Sequence, residues 1–474
     1  MTKRTKLLIV GDSPILATGL GETTRLLFGA LLDQFQDQYE LHQIGLFNSY
    51  SVASPRWPVY PTKGEREPDG RMRFQVDDLY GRLTFKEVVA RLQPQIVFAF
   101  NDPQRILHLC KPADQRDYKL IVYVTLDGMP FLPDGPEILD RADLIFTMSE
   151  FSTRALAARL PGANPKKFGY MYGPADTQRF KPATAAEKSE LRKTWLPEWI
   201  SPDSFLLGWV GRNQWRKQVW LLYRVIRCLR TGDYLVCNDC ERVTPLDPGP
   251  CSQYFRAEPP VEATAAAGAA SPRCCHCRSA HARKAEPLSD VFLWLHMPDE
   301  PQEAWSKVWL EEQLDAKPGR DIYYTDGHKV ENAWAPADMP VLYQLWDCLL
   351  YLSGGEGFGV PAWEAMCSAL PIIYTNYSSH AEFLGKAGAG VPVGGMLQPE
   401  PETCIWRMVA DLAQTIEAVR KLYFARKAGR TLGAAGRFFV QSFTPQLQAA
   451  RWNRIFQTLV SESGESTGSA RQRQ

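Results

Sequence analysis

Two glutamates on either side of a glycine-rich run are the residues whose spacing most directly indicates chemistry. Glu356 lies in a loop that follows an apolar run, and Glu364 falls one to two turns into the helix predicted after it. Glycines let a ligand approach the backbone closely, and amides at the start of a helix bind anions. Two carboxylates beside such a phosphate cradle suit the hydroxyls at both ends of a nucleotide sugar.

A second candidate site is the basic loop after the predicted strand 205–211, which contains Arg212, Arg216 and Lys217. Arginine offers a planar fork and lysine a mobile point charge, so the loop suits a diphosphate. Arg212 and Lys217 are the preferred pair, and Arg216 is either a third contact or a surface charge. A solvated basic turn would explain the loop equally well if it stood alone.

Polar or glycine-bearing loops also follow two strands predicted in the first half of the chain. Gly19 and Gly21 lie between the first strand and the first helix, but Thr24 occupies the third glycine of a dinucleotide fingerprint. This loop either approaches a ligand or is simply a tight turn. Asp127 follows the strand 120–124 and either contacts a ligand or caps a turn.

The paired glutamates with Gly-Phe-Gly between them resemble the motif of retaining GT-B glycosyltransferases of family 4, or group 1, with a looser similarity to phage-encoded members. The resemblance implies that Glu356 contacts the transferred sugar, Glu364 the nucleotide ribose, and Arg212 and Lys217 the leaving diphosphate. Asp127 stands where members often have a histidine near the sugar. Further donor-binding positions implied by the resemblance are Gly19, Gly21, Phe358, Gly359 and Val360.

The activity that this resemblance implies is transfer of a hexosyl or pentosyl group from a nucleotide-diphosphate sugar to a hydroxyl acceptor, with retention. No Asp-x-Asp triplet occurs, so a manganese-bridged donor site is not supported. The acceptor is a small molecule, a glycan or a hydroxymethylated base in DNA, which would make the protein a DNA-modifying enzyme. A catalytically silent, zinc-containing binding protein is a further alternative.

A cluster of cysteines predicts a structural zinc site. Six of the eleven cysteines fall within residues 231–289, and two Cys-x-x-Cys knuckles supply Cys237, Cys240, Cys274 and Cys277. Four thiolates suit tetrahedral zinc and leave no open position for catalysis. Alternative ligands are Cys251, Cys275 and His276.

The elements that must position these residues form two alternating series of strands and helices. Predicted strands span 6–12, 40–47, 96–102, 120–128, 144–149 and 167–173, and then 205–211, 291–297, 321–327, 348–354 and 370–376. Apolar runs of this kind are typical of buried parallel strands with ligand loops at their carboxyl ends. We expect an α/β GT-B fold, with an acceptor domain over 1–183, a nucleotide-sugar domain over 204–440, a zinc-ribbon-like insertion over 231–289, a helix over 441–460 and a disordered tail over 461–474.

The chain is predicted to be cytoplasmic. No apolar stretch approaches the roughly 20 residues that a membrane span requires, and the apolar run 7–10 is too short for a signal peptide. The formal net charge of +1 argues against a broadly cationic surface, although it leaves room for a local basic patch.

Overall fold

Two parallel β-sheets organise the chain, as the alternating apolar runs predict. The computed structural model describes residues 4–16, 18–47, 56–66, 72–130, 135–246, 274, 276–277, 279, 281–297, 304–325, 338–400, 404–430 and 432–471. Each of the eleven predicted strands coincides with a strand of one of the two sheets, although the predicted 321–327 extends beyond the described residues. The α/β class is therefore confirmed.

The first sheet has seven parallel strands in the order β3-β2-β1-β6-β7-β8-β9. All four residues of the run 7–10 in β1 are completely buried, which explains why this strand is continuously apolar rather than alternating. The strands of this half, including the β4–β5 hairpin, are Thr5–Asp12 (β1), Tyr39–Leu46 (β2), Val59–Pro61 (β3), Gly64–Arg66 (β4), Met72–Phe74 (β5), Ile96–Asn101 (β6), Lys119–Val124 (β7), Leu144–Thr147 (β8) and Phe168–Tyr170 (β9).

The second sheet has six parallel strands in the order β15-β14-β10-β16-β17-β18. Gly208 in its central strand is required by packing, since a Cβ there would lie 1.8 Å from the Trp346 ring. The strands of this half of the chain, including those outside the six-stranded sheet, are Phe205–Val210 (β10), Tyr234–Cys237 (β11), Val243–Pro245 (β12), Ala282–Lys284 (β13), Val291–His296 (β14), Ile322–Tyr324 (β15), Cys348–Tyr351 (β16), Ile372–Thr375 (β17), Gly390–Val393 (β18), Gly395–Glu400 (β19) and Ile405–Ala410 (β20). Strands β12-β11-β13 form a small antiparallel sheet, and β19 and β20 form a hairpin.

Helices connect the parallel strands and cover the sheets. The helix after β8 begins at a serine N-cap, where Ser149 Oγ accepts from Ser152 N at 3.1 Å. The helices are Gly19–Phe35 (α1), Arg82–Leu92 (α2), Pro103–Ile106 (α3), Pro136–Leu139 (α4), Glu150–Ala157 (α5), Ala185–Trp195 (α6), Val219–Thr231 (α7), Lys307–Gln313 (α8), Met339–Leu345 (α9), Val360–Cys367 (α10), Ser378–Ala387 (α11), Leu412–Lys427 (α12), Ala434–Val440 (α13) and Pro445–Arg471 (α14).

The last helix returns to the first sheet. Trp452 is buried, and its ring packs against Phe98 with centroids 4.9 Å apart. The helix continues to Arg471, so the predicted disorder from 461 is wrong as far as that residue, while 472–474 lie outside the described residues. The segment contains no proline after Pro445, and a helix that has been nucleated gains one hydrogen bond for each residue it adds.

Among the described residues, no helix combines the length and the apolar character that a membrane span needs.

Candidate active site

The centre of the site is Glu356, in the glycine-rich loop at the carboxyl end of β16. Its side chain is buried, and its Oε2 accepts from Arg216 Nη1 at 2.7 Å. Lys217 Nζ contacts the other carboxylate oxygen, Oε1. Ser378 Oγ accepts from the backbone N–H of Glu356 at 2.9 Å, which fixes the loop from α11. Two cations from the loop after β10 therefore converge on one carboxylate.

Burial and the neighbouring charges act in opposite directions on the pKa values of this triad. Burial opposes the ionisation of Glu356, but Arg216 and Lys217 outweigh it and hold the pKa of the carboxyl well below its usual range. Burial lowers the pKa of the Lys217 ammonium, and Glu356 acts against that change. For Arg216, the nearby Glu356 and Asp127 overcome burial and raise the pKa of the guanidinium. The result is a preorganised electrostatic centre.

Asp127 brings the first sheet into the same site. Its Oδ2 lies 3.6 Å from Arg216 Nε and 3.5 Å from Arg407 Nη2. The loop that carries it is fixed to the second sheet by Met129, whose N–H donates to Tyr377 Oη at 3.2 Å. The structure thus places Asp127 beside the loop that carries Glu356, and its contact with a ligand stays a prediction.

Glycines are required where the loops of the two sheets touch. A Cβ on Gly355 would lie 2.2 Å from the Asp127 carbonyl oxygen, and one on Gly357 would lie 2.5 Å from Thr125 Cβ. Gly19 faces the second sheet in the same way, with its Cβ position 2.9 Å from Val360 Cγ2. These glycines allow the loops of the two sheets to approach each other closely across the cleft.

The loop after β1 is organised by its helix cap. Thr18 Oγ1 accepts from Gly21 N at 3.0 Å and donates to Asp12 Oδ2 at 2.7 Å. A Cβ on Gly21 would lie 2.8 Å from the Ser13 carbonyl oxygen, so this glycine serves the turn. The direct contact of Gly19 with Val360 places the start of α1 at the cleft, and the donor roles of Gly19 and Gly21 stay predictions.

Glu364 lies in α10 and has different surroundings from Glu356. Tyr343 Oη donates to its Oε2 at 2.6 Å. Burial raises the pKa of Glu364 to about 7, and the tyrosine hydrogen bond acts in the opposite direction. With Glu22, Phe358 and Val360 it lines a small cavity between the first helix and α10. The two glutamates therefore differ in protonation near neutral pH.

The segment between the glutamates presents backbone to the cleft. The Phe358 side chain is buried against Trp363 and Phe383, with ring centroids 5.0 and 5.2 Å away. Gly359 has a φ of 105°, which favours glycine, and it precedes α10 as its N-cap. The amides at this helix start are the groups available to an anion.

The arginines near the site have different surroundings. Arg216, which the sequence left open as a surface charge, is the arginine that contacts Glu356. Arg212 is exposed on the same loop, and its diphosphate role stays a prediction. Arg407 was missed because it belongs to the β19–β20 hairpin, which the sequence did not predict. Its sequence signal is weak, because Arg407 is a single charge within the otherwise apolar run 404–410.

The predicted cysteine ligands come together. The four Sγ atoms of Cys237, Cys240, Cys274 and Cys277 all lie within 4.8 Å of one another, at the end of the β12-β11-β13 sheet. Tetrahedral zinc with Zn–S bonds of about 2.3 Å separates its sulfurs by about 3.8 Å, so the donor set fits this ion. His276 is outside the group, and Cys251 and Cys275 lie outside the described residues.

The family model for glycosyl transferases group 1 matches residues 326–396, a segment that includes both glutamates and the loop between them. This match identifies the segment as group 1 glycosyltransferase sequence. No curated protein matches the chain in sequence. The cysteine cluster lies outside the matched segment, and most of the β19–β20 hairpin follows it.

Similarity to solved structures shows that this chain has the GT-B fold. Sucrose-phosphate synthase from Thermosynechococcus elongatus has 14% identity and a TM-score of 0.67, with 97% of this chain and all of that chain covered. A glycosyltransferase from Rickettsia africae has 11% identity and a TM-score of 0.61, covering 96% and 99%. Anabaena HepE in complex with UDP-glucose has 13% identity and a TM-score of 0.59, covering 96% and 100%.

Proposed function

We propose that this enzyme transfers a sugar from a nucleotide-diphosphate sugar to a hydroxyl acceptor with retention of anomeric configuration. The observation that carries the proposal is the convergence of Arg216 and Lys217 on Glu356 beside the glycine-rich loop. The site thus combines cations for a diphosphate, amides at a helix start and a carboxylate for hydroxyls. The similarity to HepE, solved with UDP-glucose, supports a nucleotide-sugar donor.

The residues divide between the two ends of the donor. Arg216 and Lys217, with the exposed Arg212 nearby, neutralise the diphosphate, while Glu356 accepts from hydroxyls of the transferred sugar. Glu364 contacts the ribose, following the resemblance. The backbone of Phe358, Gly359 and Val360, with Gly19 and Gly21 opposite, lies along the donor phosphates.

In the proposed reaction, the bond from the anomeric carbon to the diphosphate oxygen breaks and a bond to the acceptor oxygen forms on the same face. The proton of the acceptor hydroxyl passes to the leaving diphosphate, which carries the bonding electrons away. Arg216 and Lys217 stabilise the negative charge that develops there. Asp127 orients the acceptor or the sugar from the first sheet.

A donor screen tests this function. Purified enzyme is incubated with UDP-, GDP- and ADP-sugars, and nucleotide release is measured. We expect turnover of at least one donor, with a loss of at least about 100-fold in Glu356→Ala and in Arg216→Ala. Arg212→Ala is the matched variant from the same loop, and its exposed position predicts a smaller loss. Failure of every donor to bind or turn over would overturn the proposal.

The cysteine cluster is proposed to bind one structural Zn²⁺. All four ligand positions are cysteine sulfurs, so the ion would hold together the small β12-β11-β13 sheet rather than take part in transfer. Cysteines that are not paired in disulfides suit the reducing cytoplasm, where we place the enzyme.

A base in DNA is the second candidate acceptor, and a stack of tryptophans beside the basic loop favours it. The rings of Trp215 and Trp305 are 4.9 Å apart and nearly parallel, and Trp309 continues the stack. Trp215 is 54% exposed and precedes Arg216. Aromatic faces next to cations are typical of sites that hold unstacked bases.

A DNA arm of the donor screen separates these acceptors. DNA containing hydroxymethylated bases is added, and its mass is recorded. A sugar-sized gain that disappears in Glu356→Ala and weakens in Trp215→Ala would establish DNA as the acceptor. Donor turnover without a change in DNA mass would exclude these bases and leave glycans or small molecules.

A further inference from the structure

The β19–β20 hairpin lies where the two sheets meet. Met408 N donates to the Gly354 carbonyl at 3.0 Å, and Gln218 Nε2 donates to the Met408 carbonyl at 2.7 Å. On the other side, Trp406 N donates to the Met129 carbonyl at 2.7 Å. The hairpin is therefore fixed to loops of both sheets at the candidate active site.

Arg407 projects from this hairpin into the site. Only 6% of the residue is exposed. Its Nε and Nη2 donate to Glu400 Oε2 at 3.2 and 2.9 Å, and Nη2 lies 3.5 Å from Asp127 Oδ2. Its Nη1 is buried without a hydrogen-bond partner among the described residues. A Cβ on Gly355 would lie 3.0 Å from that nitrogen, so Nη1 borders the glycine-rich loop.

Within the described part of the chain, this nitrogen is a donor without an acceptor. Arg216 and Lys217 contact Glu356, whereas no described residue accepts from Arg407 Nη1. A buried, unsatisfied N–H on a charged group is unfavourable, and a ligand oxygen beside it removes that cost. Glu400 balances much of the guanidinium charge, so the free donor suits a hydroxyl as well as a carboxylate.

We propose that Arg407 Nη1 donates a hydrogen bond to an oxygen substituent of the transferred sugar and thereby determines which sugar is accepted. The proposal rests on the proposed function, which assigns Glu356 to the sugar. Arg407 borders Gly355, the residue immediately before Glu356, and so reaches the sugar end of the donor. Asp127 and Glu400 orient the guanidinium.

Binding measurements on the full chain test this role. The Kd of UDP is compared with the Kd values of UDP-glucose, UDP-galactose and UDP-glucuronate. The Kd values of GDP and ADP are compared with those of their nucleotide sugars in the same way. For Arg407→Gln we expect about tenfold weaker binding of the preferred nucleotide sugar. The nucleoside diphosphate alone should bind within about twofold of the wild type, because it lacks the sugar. A larger loss for the uronate than for the neutral sugars would identify a carboxylate as the partner.

The matched control is Arg420→Gln, since Arg420 lies on α12 and donates to Tyr234 away from the site. Equal losses for the nucleotide and the nucleotide sugar, or no loss for either, would overturn the proposal. If Arg407→Gln keeps its affinity for the nucleoside diphosphate, the variant is folded. If Arg407→Gln does not fold, Arg407→Lys is used for the same comparison of nucleotide and nucleotide sugar. A wild-type enzyme that binds no nucleotide sugar would instead overturn the proposed function.

Discussion

Glu356 and Glu364 belong to one short motif, yet the pKa of the first is lowered and that of the second is raised. Glu356 is buried and Glu364 is partly buried, and loss of contact with water raises the pKa of a carboxyl. At Glu356 two adjacent cations overcome burial and keep the group ionised. At Glu364 the partner is the neutral Tyr343 hydroxyl, and the pKa rises to about 7. One carboxyl is therefore a permanent anion and the other exchanges a proton near neutral pH.

This difference predicts a pH-dependent stability that belongs to Glu364. Its pKa is higher in the folded state than its ordinary value of 4.5, so the folded chain binds more protons between pH 4.5 and about 7. The free energy of unfolding should therefore fall as pH rises through this window, by an amount on the order of 3 kcal/mol. Glu364→Gln should remove that fall, as measured by thermal unfolding from pH 4.5 to 8.

Tyr343→Phe supplies the control for this measurement. It removes the hydrogen bond that lowers the pKa of Glu364, so the pH-dependent fall in stability should become larger. Identical pH profiles for the wild type and Glu364→Gln would contradict the assignment.

The alternating parallel strands and helices could be predicted from the sequence, whereas the β19–β20 hairpin, which interrupts that alternation, could not. Buried parallel strands appear as apolar runs that end in small or polar residues, which is why the loops bearing Glu356 and Lys217 were found. The β19–β20 hairpin is largely half-exposed, so it leaves no continuous apolar run. Arg407 was missed with it, and the pairing of Arg216 with Glu356 depends on contacts between distant segments.

The β12-β11-β13 sheet is too small to build its own core, and this predicts a dependence on metal. Its strands have only three or four residues each. We expect the purified enzyme to contain about one Zn²⁺ per chain by mass spectrometry, and we expect Cys237→Ser and Cys274→Ser to lose it. Loss of metal should make the strands β11, β12 and β13 sensitive to proteolysis.

Cys404→Ser is the control for the zinc measurement, because Cys404 is exposed and lies outside the cluster. The sheet is also attached to α12, where Glu417 Oε1 accepts from Val243 N at 2.8 Å, so unfolding should stay local. A wild-type protein purified without chelator that contains no zinc would refute this assignment.

At the scale of the whole molecule, the two sheets are joined by the last helix and by the loops around the site. Helix α14 packs Trp452 on the first sheet although the chain has just left the second. In the cleft, glycines at 355 and 357 meet the backbone and side chain of the 125–127 loop directly. Asp127 adds charge to this contact, since it faces Arg216 and Arg407 of the second sheet. The same residues that are proposed to bind substrate therefore also hold the sheets together.

Asp127→Asn should consequently shift the ligand-free enzyme toward a more open arrangement. The two ion pairs are partly exposed, with 30% of the Asp127 side chain accessible, so each contributes at most about 1 kcal/mol. We expect a larger radius of gyration by small-angle X-ray scattering at low salt, and a smaller response of that radius to added salt than in the wild type. Asp140→Asn is the matched control, because Asp140 pairs with Lys167 within the first half of the chain and should leave the radius unchanged. If Asp127→Asn and the wild type scatter identically at every salt concentration, the contact between the sheets depends on the glycine-rich loop and α14 rather than on charge.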